Sequence, residues 1–561
     1  MIQRKNVITE NRSRLLAPFG LLIVWCIAAA SLLRGLGNSA YQYPDADRIL
    51  MDGVFLYDFL RDFAFGHLYQ YTLEYYAQYP ALSIGYRPPF FPFVESVFHF
   101  VFGVNTWSSR LAVFSFVVVG VGAWYVLIRR MFDTVTAFFT SLLLVTNPFF
   151  AMWGWYTMAE LPLVSMMMLT AMVFHRYVDS GEAKYLYWTA FLLGLTIWTK
   201  QTAFYLVFWF MLYLAFLGRL MQTLKRKETW FAVLGLLAMV IPLAVITVWL
   251  GQQNLAQSIG HGHVPGGSRF SYTNLSAWLW ILYHKHLPLP VFVLSAAGFL
   301  LMLVRRDPKP LFFVLLIACT YLYFTYILNK NARYAIFWIP AFALMATLPI
   351  YYLRDRLRLR QLAMLGGVAV VSYQGYLIYE SSPLISTGYD EAAAYVLAHG
   401  DSPTVFFDGR NNGYFTYFMR ALDPQRSMHV LRGEKLLSSS SISTRNRLQV
   451  HVRSKDDILK VLDGYGVEYV VVESENRFGP APHTWLRELL KTDLFKLEKT
   501  VDVNSNHGSL YLQKLLVYKY LDRKVPSADY LELRVPVVGT TIRVPFRQGT
   551  KRVHSDAQAI D

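Results

Sequence analysis

At 561 residues, 55% of them apolar and 16% charged, the chain has too little charge for a soluble protein of its length, and its apolar residues gather in membrane-length runs. The net charge of +16 is no nucleic-acid signal, because the cations sit in the loops between those runs. Two cysteines, Cys26 and Cys319, both inside apolar runs, exclude a disulfide framework.

Eleven runs are predicted to span a bilayer: 14–33, 109–129, 135–153, 158–177, 185–200, 202–218, 230–250, 289–304, 311–328, 335–353 and 361–379. Arg4, Lys5, Arg12 and Arg14 precede the first as in a signal peptide. The run is too long for one and lacks a small-residue cleavage site, so a retained anchor is expected. With the N-terminus in the cytoplasm, every second loop is basic: Arg129-Arg130; Arg176 to Lys184; Arg219 with Lys225-Arg226-Lys227; Arg305-Arg306 with Lys309; and Arg354 to Arg360. The eleventh span then leaves everything after Glu380 outside, with a bacterial inner membrane as the expected location. The predicted fold class is an α-helical polytopic membrane protein with a C-terminal extracytoplasmic α/β domain. The expected domains are 1–380 (membrane), 381–525 (α/β) and 526–561 (a basic, β-like tail).

The first outer loop, 34–108, is the outsized gap between apolar runs. It opens on Pro44-Asp45-Ala46-Asp47. Leu56, Phe59, Leu60 and Phe63 then recur at helical spacing around Asp58, Arg61 and Asp62, which predicts an amphipathic helix lying in the interface. Tyr86-Arg87-Pro88-Pro89 leads into a second interfacial or re-entrant helix ending near Phe102. In the C-terminal region, helices at 391–399 and 456–465 alternate with strands at 404–407 and 467–472. The runs 531–538 and 541–546 read as β. Asp408 to Gly413 reads as a turn and Ser438 to Ser443 as a polar loop.

Outer loops should be poor in Lys and Arg, and three cations stand against that rule. Arg87 precedes two prolines, Lys200 sits at the tight turn Trp198-Thr199-Lys200-Gln201, and Arg333 precedes Tyr334. Cations at headgroup depth are costly unless paired, and a phosphate would pair all three. A lone cation at a helix end more simply snorkels to the headgroups. Asp45 or Asp47 is placed to take a proton from an attacking hydroxyl, the alternative being that one of them caps the following helix. Glu160, in the turn before the fourth span, is either a site residue or an ordinary helix-start acid. His261 and His263 are too few for a metal site. The loop 251–288, rich in glycine at 260–267, reads as a lid, and Asn274-Leu275-Ser276 forms a glycosylation sequon.

These motifs, in this order and on this side of the membrane, resemble the GT-C superfamily of membrane glycosyltransferases. The likeness is to the branch of the protein O-mannosyltransferases and the lipid A aminoarabinose transferase. Asp45-Ala46-Asp47 stands where that branch has an acidic pair, usually Asp-Glu, and Arg87-Pro88-Pro89 where it has Lys/Arg-Pro-Pro. Thr199-Lys200, then Arg333-Tyr334 with Pro340, complete the pattern. The resemblance covers about residues 10 to 380 and implies an enzyme. A hexosyl or pentosyl group would move, with inversion, from a polyprenyl-phosphate donor to a hydroxyl of a lipid, glycan or protein acceptor. It implies Asp45 or Asp47 as base, Arg87, Lys200, Arg333 and Tyr334 on the donor phosphate, and Glu160 and Tyr86 as positioning residues. No cofactor, essential metal or nucleic-acid partner is expected. The alternatives are a lipid-linked sugar transporter, against which stand the missing two-fold repeat and the absence of mid-span charges, and a non-catalytic glycan-assembly subunit.

Overall fold

The computed structural model describes residues 2–37, 45–83, 86–250, 269–354, 356–439, 448–475, 480–506, 513–535 and 540–546. Pro44, the 251–268 stretch with His261 and His263, residues 440–443, and Arg547, Lys551 and Arg552 of the tail lie outside them. The chain divides into two compact units.

The first unit comprises Met1–Leu36, Gly85–Val94 and Arg110–Pro383. Every run predicted to span is helical. Five helices among the described residues are long and apolar enough to cross a bilayer: Thr106–Met131, Glu160–Ser180, Lys227–Leu250, Ala332–Tyr352 and Leu357–Glu380. A sixth crossing is formed if Thr134–Val145 and Pro148–Gly154, bent by 63°, count as one. The bend falls at Asn147-Pro148, where the Asn147 side chain accepts from the Phe150 backbone N–H and starts a new helix. Eleven crossings remain the expectation from sequence, because the other apolar helices, Gln201–Phe216 among them, are shorter.

Burial sorts these helices. Ala332–Tyr352 and Glu160–Ser180 are central, with 83% and 78% of the residues in their apolar windows buried, whereas Lys227–Leu250 has 11% and is peripheral, packed on Ala183–Thr199 through Met239. Small residues let the central helices close up. A Cβ on Gly298 would strike the Met345 carbonyl, so Leu289–Arg305 lies directly against Ile339–Tyr352.

Several cations near helix ends have a plain structural use. The Arg34 guanidinium donates to the carbonyls of Ile378, Tyr379 and Ser381 at 2.6–2.8 Å, closing the C-terminus of Leu357–Glu380. Arg110 does the same for the first helix through the carbonyls of Leu32, Arg34 and Gly35. The Lys330 ammonium donates to Phe324 and Thr325 at the end of Leu311–Tyr326. Positive side chains satisfy the orphan carbonyls there and offset the negative end of the helix dipole. Asn274 is similarly committed. It is 2% exposed and its amide donates to the Arg269 and Thr325 carbonyls, which leaves the sequon no accessible acceptor nitrogen.

The second unit joins Gly37–Ile84 and Glu95–Ser109 to Leu384–Asp561. Its centre is a five-stranded sheet in the order β2-β1-β5-β7-β6. Strands β1 (Thr404–Asp408), β2 (His429–Arg432) and β5 (Tyr469–Glu473) run parallel, and β6 (Phe495–Asp502) and β7 (Lys514–Tyr520) add an antiparallel hairpin. Two short ribbons complete it: β3 (Ser438–Ser439) with β4 (Gln449–Val450), and β8 (Tyr530–Val535) with β9 (Thr540–Pro545). Helices Tyr389–His399 and Lys455–Gly464 and strands β1, β5, β8 and β9 fall where the sequence places them. The expected turn is present at Gly409–Asn411 and leads into the helix Asn412–Leu422, which the sequence reading did not place.

The helix Ala46–Arg61 differs from its expectation. Its acidic face is buried rather than solvated. Asp58, with a fully buried side chain, accepts two hydrogen bonds from Arg420 at 2.5 and 2.7 Å and one from the Tyr75 hydroxyl at 2.8 Å. Asp62 receives Arg426 and Tyr71 in the same way. Periodicity cannot distinguish an acid facing water from one facing an arginine supplied by distant chain. Phe63 lies beyond the helix, at φ 52°, and is exposed.

Candidate functional site

In the first unit, residues from three separate parts of the chain meet at one carboxylate. Glu160 opens the helix Glu160–Ser180, whose first turn tolerates Pro162 because no intrahelical N–H is required there. Lys200 sits where Ala183–Thr199 ends: its extended backbone (φ −161°, ψ 130°) breaks the helix before the 3-10 turn Gln201–Tyr205. Arg333 belongs to the 3-10 segment Ala332–Trp338, started by the Asn331 side chain accepting from the Arg333 N–H. The Lys200 ammonium is 2.7 Å from Glu160 Oε1 and Arg333 Nε is 3.6 Å from the same oxygen, with the Glu160 side chain 1% exposed. Both cations lie 5.5 Å from the ring centre of Tyr334. The charge of Arg87 acts on Glu160 and Lys200 alike. Tyr86, next in the chain, is half-buried.

This group differs in kind from the helix-capping cations. Arg34, Arg110 and Lys330 face backbone carbonyls, whereas Lys200 and Arg333 share one acid, within the field of a third cation. Two cations converge on one buried carboxylate, and the charge of a third acts on it. Oε2 of Glu160 is buried and has no hydrogen-bond partner among the described residues.

Sequence reasoning missed what holds Arg333. Trp338 Nε1 donates to His286 Nδ1 at 2.7 Å, so Nε2 of His286 carries the proton and donates to the Ala332 carbonyl at 2.9 Å. The Asn147 amide in turn donates to the His286 carbonyl at 2.8 Å. A lone histidine in an apolar stretch gives no sign of this role. An apolar groove of about 540 Å³ is lined by Tyr205, Phe208 and Leu212 on the helix that follows Lys200 and by Leu322 on its neighbour.

In the second unit, Asp45 and Asp47 have different surroundings. Asp45 stands at the N-cap position of Ala46–Arg61, is half-buried, and its side chain makes no capping hydrogen bond. Asp47 is 7% exposed. One of its oxygens accepts from the Arg48 N–H at 2.7 Å, and the other lies where a Cβ of Gly413 would be. Gly413 is in the first turn of Asn412–Leu422, and Arg420, seven residues on, reaches Asp58. The two helices therefore run side by side in the same direction, with both positive N-termini beside Asp47.

Around this end gather residues the sequence did not single out. Arg432, 1% exposed, donates to Glu434 at 2.6 Å and to the Pro80 carbonyl. The Asn412 amide donates to Glu434 at 3.2 Å. Arg48 feels the charges of Asp47, Glu434 and Asp45. Glu473 ends β5 and accepts from the backbone N–H groups of Arg410 and Asn411 at 2.9 and 3.0 Å. Asp408, Arg432 and Glu473 thus all lie at the carboxyl ends of parallel strands, the edge where open α/β sheets bind ligands. Among the described residues no three His, Cys, Asp or Glu side chains gather as metal ligands.

Residues 86–246 match the family model for dolichyl-phosphate-mannose-protein mannosyltransferases. No curated protein matches the sequence. The fold is similar to that of ArnT from Cupriavidus metallidurans bound to undecaprenyl phosphate, with a TM-score of 0.57 at 15% identity over 91% of this chain and 99% of that one. It is also similar to the apo oligosaccharyltransferase of Archaeoglobus fulgidus, with a TM-score of 0.52 at 12% identity over 81% of this chain and 69% of that one. The GT-C resemblance read from the motifs is borne out at the level of fold: this is a multi-pass membrane protein with the GT-C architecture and a C-terminal strand-containing region.

Proposed function

We propose that this protein is a membrane glycosyltransferase that takes a sugar from a polyprenyl-phosphate donor and transfers it, with inversion, to a hydroxyl on the extracytoplasmic face. The observation that carries the reading is the convergence of Lys200 and Arg333 on the buried Glu160, within the field of Arg87. A donor phosphodiester has one negative charge and the departing lipid phosphate about two. The site therefore matches charge that grows as the reaction proceeds, which is differential stabilisation of the transition state. Tyr334 shields both cations on one side, and Glu160 fixes them while keeping Oε2 for a donor hydroxyl. The apolar groove beginning at Tyr205 suits the polyprenyl tail. The family model and the ArnT likeness support a lipid-phosphate donor.

Asp45 is the base and Asp47 is structural. Asp47 is held by the Arg48 N–H and packed on Gly413, whereas Asp45, half-buried at the N-cap position, does not cap its helix. The acceptor oxygen attacks the anomeric carbon as its proton passes to Asp45. The anomeric C–O bond to phosphate breaks, and the lipid phosphate leaves on the three cations. Direct displacement inverts the centre.

The test is transfer by purified protein in detergent from a panel of radiolabelled polyprenyl-phosphate sugars, with membrane extract as acceptor. Asp45→Asn should lower turnover by about 10²–10⁴ while donor binding persists. Asp47→Asn should lower thermal stability more than it lowers turnover per folded molecule. Full transfer by Asp45→Asn overturns the assignment of the base, and wild-type inactivity on every donor overturns the transferase itself.

A further inference from the structure

The second unit contains a hydrogen-bonded chain that the transferase reaction does not use. Ser438 Oγ is 2.7 Å from His483 Nε2, and His483 Nδ1 is 2.6 Å from Asp408 Oδ1. The other carboxylate oxygen accepts from Arg487 at 2.6 Å. Asp408 ends β1, Ser438 begins β3, and His483 lies in the helix Ala481–Leu489, so three separate elements hold the three side chains. Gly433 lies against Asp408, where any side chain would collide with the carboxylate.

The donor and acceptor roles follow from chemistry. Burial would raise the Asp408 carboxyl, but the hydrogen bond from His483 and then the charge and hydrogen bond of Arg487 hold it below the usual range, so it is ionised and accepts. Nδ1 of His483 must therefore carry a proton. In the neutral imidazole Nε2 is then the bare nitrogen, and the Ser438 hydroxyl donates to it. That is the arrangement of an activated serine, with an acid fixing the tautomer and a base on the hydroxyl.

The adjacent residue supplies an internal control. Ser439 Oγ is 2.9 Å from His451 Nε2, nearly the same pairing. But His451 Nδ1 receives Arg534 at 2.8 Å, and a guanidinium only donates. Nε2 of His451 therefore carries the proton and donates to Ser439, so this serine has no base. Two neighbouring serines each face a histidine, with opposite proton polarity.

We propose that Ser438, His483 and Asp408 form a second catalytic site that cleaves carboxylic esters with a small acyl group, the class to which O-acyl substituents of glycans belong. Ser438 Oγ attacks the ester carbonyl and its proton passes to His483 Nε2. The ester C–O bond breaks and the alcohol leaves with that proton. Water, deprotonated by Nε2, then releases the acid and restores the serine. Arg487 keeps the carboxylate oriented.

The experiment treats the purified full-length protein in detergent with a fluorophosphonate probe and maps the adducts by peptide mass spectrometry. Ser438 should be phosphonylated at least about 10-fold faster than Ser439 in the same molecule. His483→Gln and Asp408→Asn should each slow labelling by about 10² or more, and Ser438→Ala should abolish hydrolysis of p-nitrophenyl acetate. A monodisperse wild-type protein with no adduct at Ser438, equal labelling of the two serines, or wild-type labelling in His483→Gln overturns the proposal. None of these readouts depends on sugar transfer.

Discussion

Replacing Asp58 by asparagine preserves shape and removes one charge from a pair whose side chains are 0% and 2% exposed. Arg420 is then left buried with its charge uncompensated, which costs about 3–5 kcal/mol. Removing both charges with a volume-conserving Asp58→Leu/Arg420→Met pair should recover most of that loss, because the desolvation penalty disappears with the attraction. The neighbouring Asp62–Arg426 pair, 25% and 22% exposed, is screened by water, and Asp62→Asn should cost at most about 1 kcal/mol. Pulse proteolysis of the purified protein across a urea series, following cleavage within 384–561, reads the second unit alone. The reasoning is refuted if Asp58→Asn stays within about 0.5 kcal/mol of wild type, or if the double variant loses as much as the two single changes together.

Lys200→Met should weaken turnover by about 10²–10³, and Glu160→Gln should tighten binding of lipid phosphate by removing the acid that competes with it for Lys200 and Arg333; product inhibition curves measure both. His286→Phe removes the two hydrogen bonds that set Ala332–Trp338, and should raise KM for the donor more than it lowers the melting temperature. Stability of the second unit should fall in two stages on acidification. Burial pushes His429 down to about 4, so the unfolded chain binds the extra proton first: this contribution is complete above about pH 6.5 and is lost towards pH 4. Although burial opposes it, the charges of Arg432, Lys435 and Arg48 hold Glu434 at about 2, so its contribution is complete above about pH 4.5 and lost towards pH 2. Thermal melts from pH 7 to 2 should show both, with His429→Phe reducing the upper stage, to which His451, also pushed down to about 4 by burial, contributes; an unchanged midpoint between pH 7 and 4.5 would contradict the first.

What the sequence disclosed follows from period and run length. Apolar runs announced the membrane helices, and the unbroken valine run of β5, Val470-Val471-Val472 between Tyr469 and Glu473, announced a buried strand. Strand β6 escaped notice because lysine and glutamate interrupt it on an exposed face. Glu160, Lys200 and Arg333 were each visible as a charge at a helix end, but nothing local tells a cation that caps carbonyls, such as Arg34, from one that shares a carboxylate. Asp45 and Asp47 looked equivalent until Gly413, 366 residues further along, claimed one of them.

The pairing of Asp58 with Arg420 spans 362 residues of chain. At a synthesis rate of about 5–20 residues per second, the helix that follows Asp45 waits roughly 20–70 s for its partner arginine to be made. During that interval Asp58 and Asp62 have only the half-exposed Arg61 of their own helix as a cation, and the acidic face is kept in water. A chain interrupted between Glu380 and Arg420 would thus hold its membrane helices yet lack the staple on its first loop. Such a fragment should be recognised by proteases as unfinished.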